Sequence, residues 1–469
     1  MGVAQAAIFL FQFGSSVVLA RLLTPTEMGI FAVGLAVVGI LGVLQNFGLQ
    51  PLVIRENILP PKLKATIFTA NAVNQIAQSA GTVLLASLGA AFLREEGVRH
   101  ILIVLSISPL FGILSFMPGA KLEREGRFKA IALVSACTSA VGSATTVALA
   151  YLGHTYMSLA YGHLVSSFTL AAALMVVGRK HNFARIGFSE WRRVYQFGFQ
   201  MFAVSGVVTI SQRLSELALG RITGLAALGL YNRASGVNNM LWSHIHSLAS
   251  RVMLVDYANH HRSGLPLRDR YIQTVAVMTA LLWPGFAGLA VLAKPFIVLI
   301  YGEKWVGAAM PLVFLAIASM ILVALTMTWE LFTATGDVRI QTRLEIYRTS
   351  LSVPLFIGAC FYGIEAAAFT RILDAMIAFV LYRSHLDRMT GTSLHDLLSV
   401  YLQSAALTVL AILPAAILML FAGPMAFRWP FLIIAVLAGG AFWGVALFRM
   451  DHALSEEMRR IFRRRVIRS

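Results

Sequence analysis

The chain has 469 residues, of which 58% are hydrophobic and only 13% are charged, and its mean hydropathy is +0.76. Globular proteins are about half apolar and about a quarter charged, so this composition excludes a soluble enzyme, a DNA-binding protein and a secreted disulfide scaffold. It predicts an all-α polytopic membrane protein, because a transmembrane β-barrel would show short alternating strands instead of long apolar runs.

Long apolar runs predict about 14 transmembrane helices, since a spanning helix needs about 20 mostly apolar residues. The first run carries no charge and lacks the basic start of a signal peptide, so we expect it to be an uncleaved span. Short turns at Gly153 and Gly363 divide the longest runs. The predicted spans are 3–20, 29–50, 66–93, 100–120, 130–152, 156–178, 196–219, 233–256, 271–293, 308–335, 346–362, 364–382, 400–422 and 428–448.

The net charge is +17, and the Lys and Arg residues are distributed unevenly when the loops are assigned alternately to the two membrane faces. One face receives 28 of the 38 Lys and Arg residues, and the other receives 7. Because cytoplasmic loops are rich in Lys and Arg, we expect a multi-pass protein of the bacterial cytoplasmic (inner) membrane with both termini inside. The Arg-rich end is expected to bind anionic lipid of the bilayer, and no nucleic-acid partner is expected.

An internal match joins residues 21–31 to residues 221–231. Arg and Gly recur at the same spacing, as Arg21 with Gly29 and as Arg221 with Gly229. Both segments follow an odd-numbered span, which predicts two pseudo-symmetric six-helix lobes in parallel topology with a substrate path between them. The predicted divisions are an N-terminal lobe at 1–178, a cytoplasmic inter-lobe loop at 179–195, a C-terminal lobe at 196–382, two additional helices at 383–448 and a basic cytoplasmic tail at 449–469.

Four stretches resemble the bacterial polysaccharide and oligosaccharide flippases of the MOP superfamily, which also includes multidrug exporters and the peptidoglycan-precursor flippase. They are ARLLTPTEMG at 20–29, KLEREGRFK at 121–129, LGLYNRA at 228–234 and YGEKWVGAA at 301–309. The resemblance extends from residue 20 to about residue 310 and is specific for the family, but not for any one sugar. Many members carry an Asp in the seventh span, where this chain has Ser215 followed by Glu216.

The resemblance implies a secondary transporter, not an enzyme. Family members move an undecaprenyl pyrophosphate-linked oligosaccharide repeat unit from the cytoplasmic to the periplasmic leaflet, for exopolysaccharide, capsule or O-antigen assembly. A lipid-linked oligosaccharide is therefore the expected substrate, and a polysaccharide polymerase and assembly proteins are expected partners. No catalytic residue is predicted.

Arginines in the spans are candidates for binding the pyrophosphate or the sugar. A guanidinium binds phosphate oxygens with two parallel hydrogen bonds, and placing it at a helix centre costs about 2.5–3.5 kcal/mol, which marks it as a functional candidate. The candidates are Arg213, Arg371 and Arg233. Each has a structural alternative: Arg213 precedes Glu216 by one helical turn, Arg371 precedes Asp374 by the same interval, and Arg233 opens a span from which it can reach the membrane surface.

Three acids in the spans, Glu330, Glu216 and Asp374, are candidates for binding a coupling proton or sodium ion. Glu330 has no basic residue within four positions, so it needs a proton, an ion or an interhelical partner. A hydrogen bond between helices is the competing interpretation. No other cofactor and no metal are expected, because no His pair has metal spacing with a third ligand nearby.

A polar stripe runs along the third span. Asn71, Asn74, Gln75 and Gln78 recur at helical spacing and therefore share one face. Such a stripe fits a cavity that binds sugar, and it fits contacts between helices equally well.

Two alternatives to the flippase are open. A multidrug or cation exporter of the same superfamily would need an acidic and aromatic cavity, whereas the acidic and basic groups in these spans are balanced. A membrane-integral polysaccharide polymerase or ligase would need a large outer loop, and the longest outer loop, near 294–307, is short. The chain has no Gly-rich Lys-Ser/Thr nucleotide-binding loop, which argues against an ATP-driven pump.

Overall fold

A computed structural model describes residues 2–44, 48–55, 59–179, 185–421, 427–450 and 454–455. These residues are almost entirely helical and contain no β-strand. The chain divides into two compact units, Met1–Gly229 and Leu230–Ser469. Most of the basic tail at 449–469 lies outside the described residues, so its binding to anionic lipid stays a prediction. The lobe boundaries predicted from the sequence also stay a prediction.

The first unit contains nine complete helices among its described residues, and they pack both on sequence neighbours and on helices distant in sequence. Within it, α7 packs on α8 and on α1, α4 packs on α5 and α6, and α2 packs on α9. The helices are α1 (Gly2–Leu22), α2 (Pro25–Leu41, followed by a 3-10 turn at Gly42–Leu44), α3 (Leu49–Arg55), α4 (Pro61–Leu93), α5 (Glu96–Leu105), α6 (Ser108–Arg124), α7 (Phe128–Tyr151), α8 (Met157–Val177) and α9 (Trp191–Ile222).

Helix α10 (Leu225–Arg262) begins in the first unit and continues into the second. In the second unit, α11 packs on α13 and α17, α16 packs on α13 and α15, and α17 packs on α18. The remaining helices are α11 (Arg268–Val291), α12 (Ala293–Tyr301, followed by a 3-10 turn at Glu303–Ala308), α13 (Ala309–Val323), α14 (Thr328–Thr335), α15 (Val338–Cys360), α16 (Ile364–Thr390), α17 (Leu394–Phe421) and α18 (Trp429–Arg449).

Every predicted span lies mainly in helix where the structure describes it. Eight helical segments of the described chain are long and apolar enough to cross a membrane, so the total of 14 stays a prediction. The predicted turns at Gly153 and Gly363 are present, with φ angles of 85° and 106° that favour glycine. The predicted span at 308–335 lies within one of the eight segments, Glu303–Thr335, but its helix is interrupted between α13 and α14, where Met327 has a φ of 57°.

The first family-like stretch forms the start of α2. Thr24 and Glu27 make a capping box, in which the Thr24 amide donates to the Glu27 carboxylate at 2.7 Å and the Glu27 amide donates to the Thr24 hydroxyl at 3.3 Å. Pro25 occupies the first turn, where its missing N–H leaves no hydrogen bond unmade. These bonds satisfy backbone donors that have no partner inside the helix and fix where α2 begins.

The internal match corresponds to equivalent helix boundaries. Helix α1 ends at Leu22 and α9 ends at Ile222, while α2 begins at Pro25 and α10 begins at Leu225. Within the first unit, the α-carbon of Gly29 faces the carbonyl of Leu225, and that of Gly229 faces the carbonyl of Pro25. The contact is reciprocal, because Pro25 and Leu225 are matched positions, as are the two glycines. A β-carbon on either glycine would overlap the facing carbonyl oxygen, so both positions require glycine.

Candidate functional site

Arg213 and Glu216 form an ion pair on α9, as their spacing predicts. The Arg213 Nη1 donates to the Glu216 Oε2 at 2.8 Å, and the two side chains are 35% and 21% exposed. The guanidinium lies over Gly39 of α2, where an added β-carbon would sit 2.6 Å from the Arg213 Nε. The charge is therefore largely neutralised within α9, although the pair keeps access to solvent or ligand.

Arg371 of α16 has no carboxylate pair among the described residues. Its Nε donates to the Tyr231 hydroxyl at 3.0 Å, and its guanidinium lies 4.2 Å from the ring centroid of Phe356. Tyr231 and Phe356 also pack edge to face, with their centroids 5.8 Å apart. The two rings fix the orientation of the guanidinium plane. The terminal nitrogens of Arg371 make no hydrogen bond to a described residue. We call Arg371, Tyr231 and Phe356 the arginine clamp.

The predicted pairing of Arg371 with Asp374 is wrong. Asp374 instead binds Arg348 of α15 through two parallel hydrogen bonds, Nε to Oδ1 at 2.9 Å and Nη2 to Oδ2 at 2.8 Å. Glu345 lies 3.4 Å from the Arg348 Nη1 and accepts a hydrogen bond from the Tyr382 hydroxyl at 2.8 Å. Arg348 lies inside α15. The guanidinium of Arg348 forms two parallel hydrogen bonds with the Asp374 carboxylate, whereas Arg371, on the same helix as Asp374, forms none with it.

Arg233 near the start of α10 packs between aromatic rings. Its guanidinium lies 4.6 Å from the centroid of Tyr301 and 4.8 Å from that of Trp305. Both rings are almost completely buried and belong to the family-like stretch at 301–309. Cation–π contacts of this kind join the C-terminal end of α12 and the following 3-10 turn to α10 within the second unit.

The polar stripe of α4 makes contacts between helices. Asn71 donates to the Gly112 carbonyl of α6 at 3.4 Å, and Gln78 donates to the Val38 carbonyl of α2 at 3.1 Å. Gln75 packs against Gly112, which has no side chain to exclude it. Asn71, Gln75 and Gln78 are buried, and Asn74 is half-buried. The geometry favours contacts between helices for the three buried residues, and a role in sugar binding stays a prediction for all four.

Glu330 is the most deeply buried of the candidate acids, with 1% exposure. Its Oε1 accepts a hydrogen bond from the Ser250 hydroxyl of α10, and the His246 Nε2 on the same helix lies 3.9 Å away. His246 lies in the predicted eighth span, 233–256, and no spacing in the sequence links it to Glu330. No group of three His, Cys, Asp or Glu side chains in the described residues is arranged to bind a metal ion.

Comparisons with known proteins agree with this architecture. The family model for "Polysaccharide biosynthesis protein" matches residues 18–310. The lipopolysaccharide biosynthesis protein WzxC of Escherichia coli is 23% identical over 72% of this chain and 70% of its own. The succinoglycan biosynthesis transport protein ExoT of Rhizobium meliloti is 26% identical over 68% of this chain and 65% of its own.

Two solved structures have the same fold. The lipid II flippase MurJ, in an inward closed conformation, has a TM-score of 0.79 at 14% identity and covers 96% of this chain and 99% of its own. An inward-facing multidrug resistance transporter of the MATE family has a TM-score of 0.60 at 13% identity and covers 82% of this chain and 96% of its own. The all-α fold and the family predicted from the sequence are confirmed, and the chain belongs to the polysaccharide biosynthesis protein family.

Proposed function

We propose that this protein is a flippase that moves a lipid-linked oligosaccharide across the inner membrane for surface polysaccharide assembly. The family match and the fold support a transporter, and the names of its relatives place them in lipopolysaccharide and succinoglycan synthesis. An undecaprenyl pyrophosphate carrier and transport from the cytoplasmic to the periplasmic leaflet are the finer parts of this proposal. Cytoplasmic termini and contacts with a polymerase and assembly proteins belong to it as well.

The arginine clamp carries the proposal at the level of residues. A pyrophosphate, or an acidic sugar, presents pairs of anionic oxygens, and a guanidinium binds such a pair through its terminal nitrogens. The terminal nitrogens of Arg371 are not used by any described residue, whereas those of Arg348 bind Asp374. Phe356 and Tyr231 fix the guanidinium before an anion arrives, which reduces the entropy lost on binding. Arg213, neutralised by Glu216, is the second candidate.

Drug or cation export is the less supported alternative. A cation would need an acidic side chain whose charge is not already compensated. Asp374 is bound by Arg348, and Glu216 is bound by Arg213. Glu330 has no such cationic partner among the described residues, but it is only 1% exposed and so offers no open surface to a drug-sized cation. The likeness to the multidrug transporter concerns the fold alone, since only 13% of residues are identical.

A rescue experiment tests the function and the clamp together. A strain without its own flippase for a defined surface polysaccharide receives the wild-type chain, Arg371→Ala or Arg371→Lys. We expect the wild type to restore surface polymer, and both variants to leave lipid-linked intermediate in the inner leaflet, because Lys keeps the charge but cannot form two parallel hydrogen bonds. Arg339→Ala, a change of another arginine of the second unit, is the matched control and should rescue.

The outcome separates the two levels of the proposal. Failure of the wild type at normal protein level, in a host with a matching repeat unit, contradicts the flippase. Rescue by Arg371→Ala as complete as that by the wild type removes the clamp from substrate binding and leaves the flippase in place.

A further inference from the structure

A buried carboxyl group in the second unit lacks a partner for one of its oxygens. The Oε2 atom of Glu330 is inaccessible to solvent and has no hydrogen bond to any described residue, while Oε1 accepts from Ser250. An ionised carboxylate in such a place is strongly disfavoured unless a cation or a proton neutralises it. This buried carboxyl group therefore indicates that a proton or a small cation binds at Glu330.

The backbone beside Glu330 is interrupted. Helix α13 ends at Val323, Met327 adopts the left-handed conformation, and α14 resumes at Thr328. This break frees backbone carbonyls from helical hydrogen bonds, and the Tyr401 hydroxyl of α17 donates to that of Ala324 at 2.9 Å. Interrupted spans place polar backbone in the membrane where it lines a site, because unsatisfied carbonyls are costly in hydrocarbon.

Two titratable groups that interact with Glu330 lie on α10. Helix α10 contributes His246, 3.9 Å from the carboxylate, and the Tyr257 hydroxyl, which lies within electrostatic range of it. Other helices of this core carry Tyr271, Tyr382 and Tyr401, together with Arg383, which lies 5.9 Å from the centroid of the Tyr271 ring, and Glu345, which accepts a hydrogen bond from the Tyr382 hydroxyl. Among the described side chains, no Lys or Arg is hydrogen-bonded to Glu330 or paired with it. His246 is therefore the base that lies beside the Glu330 carboxyl group.

We propose that Glu330 and His246 form a proton-binding site that holds one exchangeable proton within the second unit. The pair is neutral overall both as carboxylic acid with neutral imidazole and as carboxylate with imidazolium, whereas loss of the proton leaves a buried negative charge. A sodium ion fits less well, since hard cations prefer several oxygen ligands and the nearest groups are one hydroxyl and an imidazole nitrogen. A role in driving transport rests on the proposed flippase function, but proton binding does not.

Chemical labelling tests the site without a transport substrate. Dicyclohexylcarbodiimide reacts with protonated carboxyl groups in apolar surroundings, and mass spectrometry of the purified full chain locates the adduct. We expect labelling of Glu330 that falls as the pH rises, because only the protonated carboxyl group reacts. Sodium chloride should not protect it. Glu330→Gln should lose this adduct, whereas the exposed control Glu365→Gln should keep it.

A histidine variant tests the sharing of the proton. We expect His246→Gln to increase labelling of Glu330 near neutral pH, because the proton then resides on the carboxyl group alone. His260→Gln is the matched control, since His260 lies on the same helix beside Asp256. Absence of labelling at every pH, protection by sodium, or an unchanged pH profile in His246→Gln would each overturn the proposal.

The labelling result is independent of the rescue experiment. If Glu330 is labelled but the wild-type chain does not restore surface polymer, the proton-binding site stands and the flippase proposal is contradicted. If the wild type restores surface polymer but Glu330 is never labelled, the flippase stands and the proton-binding site is contradicted.

Discussion

Adding one methyl group at the reciprocal glycine contact should destabilise the first unit strongly. In Gly229→Ala, the new β-carbon would overlap the Pro25 carbonyl oxygen and lie 2.8 Å from the Pro25 carbonyl carbon and 3.1 Å from the Gly29 nitrogen. All three atoms are backbone, so a side-chain rotation cannot relieve the clash. Overpacking costs about 1–3 kcal/mol, and a backbone contact belongs at the upper end, which lowers the melting temperature by about 4–12 °C.

The assay is the fraction of purified protein that stays monodisperse in detergent after heating. Gly236→Ala is the control, because Gly236 lies on the same helix and a β-carbon added there would have nothing within 4 Å. Alanine is a better helix former than glycine by about 1 kcal/mol, so this control should melt at the wild-type temperature or above. Gly29→Ala should resemble Gly229→Ala. The double variant should lose less stability than the sum of the losses in the two single variants, because the same widening of the contact between α2 and α10 accommodates both methyl groups. A Gly229→Ala protein as stable as Gly236→Ala would refute this reasoning.

Two further changes test contacts inside the second unit. Asp374→Asn should cost about 1–3 kcal/mol, because it removes the carboxylate that binds Arg348 through two hydrogen bonds and leaves only Glu345, 3.4 Å away, to balance the guanidinium; the same heating assay measures the loss. Asn238→Ala should cost about 1–3 kcal/mol, because buried Asn238 donates to the Ser319 hydroxyl at 2.9 Å, whereas exposed Asn239→Ala should change little. Equal melting of the two asparagine variants, or a stable Asp374→Asn protein, would contradict these contacts.

Local signals in the sequence predict much of the fold. Long apolar runs locate the helices, since burial in lipid requires about 20 apolar residues whatever their order. The spacing of Thr24, Pro25 and Glu27 is that of a helix start, and the structure has one there. The repeated Arg and Gly correctly marks equivalent helix boundaries. Their physical contact, however, follows from the packing of two distant segments and leaves no trace in either segment alone.

The candidate site is less predictable because its partners are distant in sequence. Arg371 and Asp374 share a helical face, but Asp374 takes its guanidinium from Arg348, 26 residues earlier. Tyr231, which orients Arg371, is 140 residues away. Spacing within one helix identifies possible neighbours but cannot rank them against side chains that tertiary packing supplies.

The break before Glu330 has no signal in the sequence. Residues Ala324, Leu325, Thr326 and Met327 contain neither glycine nor proline and continue an apolar run. Such a segment is compatible with continuous helix, and only the packing of the second unit selects the left-handed Met327. Sequence reasoning correctly identified Glu330 as an acid in need of a partner, but it could not supply Ser250 or link His246 to it.

Flipping by the purified protein tests the central claim most directly. The wild-type chain is reconstituted into vesicles that carry a fluorescent undecaprenyl pyrophosphate-linked oligosaccharide, and a membrane-impermeant reagent that destroys the label reports how much lipid lies in the outer leaflet. The account predicts that label from the inner leaflet reaches the reagent quickly with the wild type, and slowly with Arg371→Ala or in empty vesicles. Equal rates with wild-type and empty vesicles, for repeat units of both neutral and acidic sugars, would contradict it.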